Sequence, residues 1–347
     1  MPLITVDDQG HRLYYEDTGP PPNSPVPYTT LIIIHGTAFH GQIFRRLLPL
    51  AAQCNLRLVI VNRRDYPGSS PYTEEELDIV RKDNERGSDD FGRRQAAELA
   101  QFIGTFVEKE HIPKPASKWR DGGIVLLPWS SGSGYTLPLL AYADSIPEST
   151  REAIEPYLRL HIIFDAPRWI LGVPPLEQQA NPLKLTSLSE DECIRIFANS
   201  VTAYYKHKNL LSRNLDDLQF EAPMNGRKSM SLEEVRQTTC YFAISHSEAP
   251  IQTANPTIYA NRLRQALFDD TTTKYWHRCR VDVVWCEHSP WESIDVMWNL
   301  QSMCEKADRE GIIGRPMRFI MMPGANHFPH WDQPDVTMKF LDGVLHT

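Results

Sequence analysis

No apolar run in this chain comes near the roughly 20 residues that a membrane-crossing helix needs, and no run of Lys and Arg is longer than a pair. The first absence argues against a transmembrane segment. The second, with a formal net charge of -8, argues against a nucleic-acid partner, which calls for a basic patch. The cysteines are few and scattered: six, with no C-x-x-C pair and no histidine at zinc-ligand spacing. That excludes a structural zinc site and a dithiol redox motif. Met1 to Gly10 carries Asp7 and Asp8 and no hydrophobic stretch, which predicts no signal peptide. Reduced thiols and a cytoplasmic location are therefore expected.

What is present is ordinary globular composition, 41% hydrophobic and 23% charged over 347 residues. That length suits one large domain or a core with an insertion. The organising stretch is Gly122 to Tyr135. The apolar run Ile124-Val125-Leu126-Leu127 is too short for a helix and ends in Pro128-Trp129-Ser130-Ser131-Gly132-Ser133-Gly134, after which Leu137, Leu139, Leu140 and Ala141 resume. This reads as a buried strand, a tight turn and a helix. In such an elbow the serine is carried at the tip, with small neighbours because the turn presses them against adjacent backbone. The Ser131 N–H at the helix start is free to donate to a developing oxyanion. A plain Ser/Gly-rich turn would look the same, so the reading depends on partners elsewhere.

Leu3–Val6 and Arg12–Glu16 flank a Gly10-His11 turn and predict an N-terminal hairpin, followed by a proline-rich connector. Thr30–Ile34 is apolar without alternation, as expected of a parallel strand buried on both faces, and runs into His35-Gly36-Thr37-Ala38. Helical spacing is read over Ile43–Gln53, a strand over Leu56–Val61 and an amphipathic helix over Phe91–Lys109. Residues 73–90 are highly charged and read as solvated. Pro138 predicts a kink or a late start in the helix after Ser130. Arg159–Asp165 is the next strand. From there to about Trp276 no buried strand is read, and helical patterns cover about Ser189–Lys206, Ser231–Ile244 and Asn261–Phe268. The first two open with capping signals at Ser189-x-x-Glu192 and Ser231-x-x-Glu234. Strands return at Arg280–Cys286 and Met317–Met322, with a helix near Ile294–Arg309 between them and a last helix over Pro334–Leu345. The alternation predicts a doubly wound, mostly parallel α/β sheet. Its expected divisions are a core over 1–165 and 277–347 and a helical cap over 166–276.

Function in such a sheet gathers beyond the carboxyl ends of the strands. Four groups sit there: the His35-Gly36-Thr37 loop, Ser130, Asp165 and His327, the last in Gly324-Ala325-Asn326-His327-Phe328. With these motifs, and with Asn62-Arg63-Arg64-x-x-x-Gly68-x-Ser70, the chain resembles the α/β-hydrolase superfamily on its serine esterase and lipase side. The resemblance covers nearly everything outside the cap. It implies Ser130 as nucleophile and His327 as general base, with the amides of Ser131 and Thr37 (or Ala38) forming an oxyanion hole. It implies no metal or organic cofactor.

Two departures stand out. Pro128 replaces the first glycine of G-x-S-x-G, and the strand ending at Cys286 is followed by Glu287-His288-Ser289 rather than an aspartate. Asp165 is the leading candidate acid, with Glu287, Glu292 and Asp295 as alternatives. His330 is the rival base. His35 and His161 read as packing or loop-anchoring, while His40, His207, His246, His277 and His288 carry no signal. Ser69, Ser70 and Ser133 read as turn residues. Tyr204, Tyr205, Met224, Met230, Tyr241, Phe242, Tyr259 and Trp276 would line an apolar substrate site or pack the cap.

The expected activity is hydrolysis of an apolar small-molecule carboxylic ester or lactone. Acyl transfer or lactone formation by the same residues, and a silent ligand-binding relative, are the alternatives. Epoxide hydrolysis and dehalogenation are disfavoured, because those relatives use an aspartate where this chain has Ser130.

Overall fold

In the computed structural model, eight strands form one sheet in the order β1-β2-β4-β3-β5-β6-β7-β8. They are β1 (Leu3–Thr5), β2 (Arg12–Asp17), β3 (Thr29–Ile34), β4 (Leu56–Val61), β5 (Ile124–Pro128), β6 (Leu158–Phe164), β7 (Arg280–Cys286) and β8 (Met317–Met322). The structure describes residues 2–346 except 23, 25, 82–84, 117–120, 175, 177–188 and 224–229. β1 pairs antiparallel with β2 and β2 with β4, and the remaining neighbours are parallel. Every residue of β3, β4, β5 and β6 is buried, the expected result for largely apolar parallel strands covered on both faces.

One core face packs β-strand residues such as Ile32, Val59 and Leu126 against Leu99, Ile103 and Phe106 of the helix Glu85–Glu110 and Leu139 and Leu140 of the helix Gly132–Ala141. The other face joins Ile33, Leu58 and Val125 to Phe44, Leu47, Leu341 and Leu345. β4 and β5 lie on opposite sides of β3, so the strand order reverses there and opens a crevice above the strand ends.

Several expectations need correction. Ile43–Gln53 is two short 3-10 runs, Gly41–Phe44 and Leu48–Cys54, with Pro49 inside the second. Residues 73–90 are not simply solvated. The helix Glu74–Arg81 buries Glu76, Leu77 and Val80, because the buried Arg64 guanidinium draws Glu76 inward (2.7 Å) and also donates to Glu98 (3.0 Å). Pro138 does not delay the start of its helix, which begins at Gly132 and runs through it to Ala141.

Between β6 and β7 the described helices include Glu190–Val201, Leu232–Thr238 and Pro256–Phe268. The first two carry the anticipated capping boxes at Ser189 and Ser231. The second ends six residues before the expected Ile244, and a π-helical stretch, Ile244–Glu248, follows separately. All six cysteines are free, three of them buried. Among the described residues no helix is long and apolar enough to cross a membrane.

Candidate active site

Ser130 stands two residues beyond the end of β5, after Trp129, and takes a left-handed conformation, φ 55°, which costs a non-glycine residue energy and survives only where its surroundings enforce it. The enforcement is visible. Ser130 N–H donates to the Phe164 carbonyl at the end of β6 (2.8 Å), and Trp129 N–H donates to the Ile34 carbonyl of β3 (2.9 Å). The turn leaves no room beside it. A Cβ on Gly36 would lie 2.8 Å from Ser130 Cβ, and one on Gly132 would lie 2.5 Å from the Ile34 carbonyl oxygen. Pro128 is the last residue of β5 and the elbow forms normally after it.

Asp165 follows β6 directly and is also left-handed, φ 54°, with its N–H donating to the Val284 carbonyl of β7 (2.8 Å). Its carboxylate is buried, 1% exposed, so its charge must be met by donors. Oδ1 accepts from Cys286 N–H (3.1 Å), and Oδ2 accepts from the Ser289 hydroxyl and from His327 Nδ1 (2.6 Å). With Nδ1–H given to Asp165, the other ring nitrogen, Nε2, is left with its lone pair. Trp129 supports the same histidine: its Nε1–H donates to the His327 carbonyl at 2.9 Å, and the rings lie 4.9 Å apart. Ser130, Asp165 and His327 all line one cavity.

The alternatives are occupied elsewhere. Glu287 Oε2 accepts from Gly324 N–H (2.7 Å) and Asp295 pairs with Arg168 Nε (2.7 Å). Glu292 lines the cavity, and its Oε2 accepts from Arg168 N–H (3.4 Å). His330 lies against Phe44, Trp129 and Phe328. Neither of its ring nitrogens has a partner, and burial holds its pKa well below the usual value. His35 is a loop anchor: Nδ1 meets the Gly36 carbonyl and Nε2 accepts from Arg63 N–H, each at 3.0 Å. His161 meets the Thr136 hydroxyl (2.9 Å), and burial lowers its pKa to about 3.

Ala38 N–H donates to the Tyr66 hydroxyl (3.0 Å), which takes it out of consideration as an oxyanion donor. Among the described residues the N–H groups of Thr37 and Ser131 have no acceptor within the protein. Their hydroxyls meet at 2.5 Å. Ser289, Tyr66 and Glu248 were given no role from sequence, and Arg63 was named only as part of the motif after β4. Ser289 lies in the same short stretch as Glu287 and could have been nominated there as a donor to a neighbouring carboxylate.

The cavity measures about 460 Å³. Phe39, Trp129 and Phe328 reach it from the core, while Trp169, Phe197, Tyr205, Phe220 and Gln252 reach it from the segment between β6 and β7. Of the aromatic and methionine residues expected to line it, Tyr205 does. Met224 lies outside the described residues. Trp276 is a core residue whose indole N–H donates to the Leu139 carbonyl (3.1 Å), Tyr259 packs edge-on against Trp169, and Phe242 is exposed. Outside this cavity Asp7, His11 and Glu98 bring potential ligand atoms within 4.8 Å of one another, but Arg64 already supplies positive charge to Glu98.

The family profile described as "Alpha/beta hydrolase family" matches residues 31–340. The chain belongs to the alpha/beta hydrolase family. Solved structures with this fold include a bromoperoxidase from Bacillus anthracis, at 13% identity and TM-score 0.54, covering 100% of this chain and 99% of that one. An esterase from Exiguobacterium antarcticum is similar at 14% identity and TM-score 0.54, with 99% of each chain covered. At such identities these family members share a fold with this chain, and the fold alone does not carry an activity across. No curated protein matches the sequence.

Proposed function

We propose that the protein is a serine hydrolase that cleaves a carboxylic ester or lactone of a fairly apolar small molecule. The observation that carries this reading is the 2.6 Å contact from His327 Nδ1 to the buried Asp165, in the cavity that Ser130 also lines. A serine hydroxyl is a weak nucleophile at neutral pH and needs a base to take its proton as it attacks. His327 Nε2 is that base, and the Asp165 carboxylate holds the ring in the required tautomer and stabilises the imidazolium that forms. The carbonyl oxygen becomes an oxyanion received by Thr37 N–H and Ser131 N–H. The protonated His327 then gives its proton to the leaving alcohol. Water, deprotonated by His327, hydrolyses the acyl-enzyme and regenerates Ser130.

Residues 166–276 serve as the cap in this reading, since Trp169, Phe197, Tyr205 and Phe220 supply much of the apolar wall. The test is hydrolysis of a p-nitrophenyl ester panel from acetate to decanoate, with fluorophosphonate labelling followed by peptide mapping. The expected result is turnover and label on Ser130, both absent in Ser130→Ala. Labelling without hydrolysis, but with ester formation when an alcohol acceptor is added, would change the reading to acyl transfer. Absence of both labelling and turnover would overturn the enzymatic reading altogether.

A further inference from the structure

We infer that Glu248 is a positioning residue for the oxyanion hole, tying the segment between β6 and β7 to the loop that carries the Thr37 amide. The inference rests on the functional reading above and goes beyond it. Glu248 closes the π-helical stretch Ile244–Glu248 and is 4% exposed. Insertions of this kind into helical structure recur at functional sites because they re-aim a side chain.

The two carboxylate oxygens of Glu248 divide the work. Oε1 accepts from the Arg63 guanidinium and from the Tyr66 hydroxyl (2.9 Å). Oε2 accepts from the Thr37 hydroxyl (3.0 Å) and Gln252 Nε2 (2.7 Å). Each donor on the core side also grips the loop. Arg63 Nη2 donates to the Gly36 carbonyl (2.8 Å), and the Tyr66 hydroxyl receives Ala38 N–H (3.0 Å). The Gly36 carbonyl and the Thr37 N–H belong to one planar trans peptide and point in opposite directions, so holding the first aims the second. The Thr37 hydroxyl donates to Glu248 and accepts from Gln252 Nε2 (2.6 Å), so the remaining contact with Ser131 is donated by Ser131 (2.5 Å). One buried carboxylate therefore gathers the contacts that orient both residues carrying the oxyanion donors.

The same segment is docked on either side of this point. His40 N–H donates to the Thr238 carbonyl (2.9 Å) and Cys240 N–H to the Ala38 carbonyl (2.8 Å), while His246 Nδ1 meets Asp65 Oδ2 (2.9 Å). Glu248 is the member of this series whose partners reach Gly36, Thr37 and Ala38 together.

The experiment compares Glu248→Gln, Glu248→Asp and Thr37→Val with wild type on the best p-nitrophenyl ester, after Ser130 labelling has established that the enzyme is active. A trifluoromethyl ketone serves as a probe of oxyanion binding. Glu248→Gln is expected to lower kcat about 10- to 100-fold with KM changed less than about threefold. Affinity for the ketone should fall in parallel with kcat, and Glu248→Asp should recover part of both. Glu76→Gln, which disturbs the separate buried pair with Arg64, is the stability control and should lower the melting temperature without this kinetic signature. If Glu248→Gln does not fold, Thr37→Val decides, since it cuts the same chain without removing a charge. A folded variant that keeps wild-type kcat and ketone affinity overturns the inference and leaves the hydrolase reading standing. A wild type that neither labels nor turns over esters removes the reading on which it rests.

Discussion

Trp129 donates its indole N–H to the backbone carbonyl of His327 (2.9 Å), so the residue before Ser130 holds the histidine proposed as its base. The two come from the turn after β5 and from the loop after β8, and this bond fixes one against the other. Trp129→Phe keeps a ring face and deletes the donor, leaving a buried carbonyl unsatisfied at a cost of about 1–3 kcal/mol. The expected result is a drop in kcat of about 5- to 20-fold with KM nearly unchanged, read by steady-state kinetics. Unchanged kcat would show that the His327 loop is held without it.

The choice of acid is testable by two isosteric exchanges. Asp165→Asn should cost about 10²- to 10⁴-fold in kcat, because an amide does not hold the imidazole in the same tautomer. Glu287→Gln should stay within about threefold of wild type, since Glu287 braces the Gly324 turn rather than the ring. Ser289→Ala should fall between them, having removed one donor to the buried carboxylate. The reverse order for Asp165 and Glu287 would move the acid to the end of β7.

Pocket size should follow the wall facing solvent-side substrate groups. Phe220 lies against Trp291, ring centroids 4.7 Å apart and planes tilted by 34°, and both line the cavity. Phe220→Ala should move the preferred acyl chain to greater length, with the change carried mostly by KM. A chain-length profile identical to wild type would place the acyl group against another wall.

The contribution of His161 to stability should be lost on the acid side of neutrality. His161 has an ordinary value of 6.5 lowered to about 3 by burial, so between those pH values the unfolded chain binds a proton that the folded protein does not. The contribution is complete above about pH 6.5 and is lost as pH falls, by about 1.4 kcal/mol per pH unit for this group. Glu98 works in the other direction, its value raised from 4.5 to about 7 by burial, so folding favours its protonated form over that range. Because the two oppose, the informative quantity is the difference between wild type and His161→Gln in urea unfolding at pH 7.5 and pH 5. The variant should lose less stability on acidification, and an identical loss would contradict the assignment.

The sheet was readable because its strands are short, mainly apolar runs. Leu56–Val61, Arg280–Cys286 and Met317–Met322 were expected with the observed bounds. The order Ser130, Asp165, His327 was readable for a related reason, since each follows a recognisable strand. Ile43–Gln53 misled because its spacing permits a helix while Gly41 and Pro49 favour shorter 3-10 turns. The cavity lining misled more. A sequence shows which aromatics a segment holds but not which face they occupy, and Trp276 turned into the core where Trp169 and Phe220 did not. Glu248 was invisible because its partners Thr37, Arg63 and Tyr66 are 211, 185 and 182 residues away.

Ser130 and Asp165 share one more property, a left-handed backbone of nearly equal angle, φ 55° and 54°. At such positions the main chain restricts which side chains can stand there. Asparagine and aspartate enter this region several times more readily than most residues, whereas a β-branched side chain is an outlier in it. Ser130→Thr, conservative by chemistry, is therefore a backbone error, while an aspartate at 130 or an asparagine at 165 meets little resistance. New nucleophiles in this scaffold are limited first by the elbow and only afterwards by reactivity.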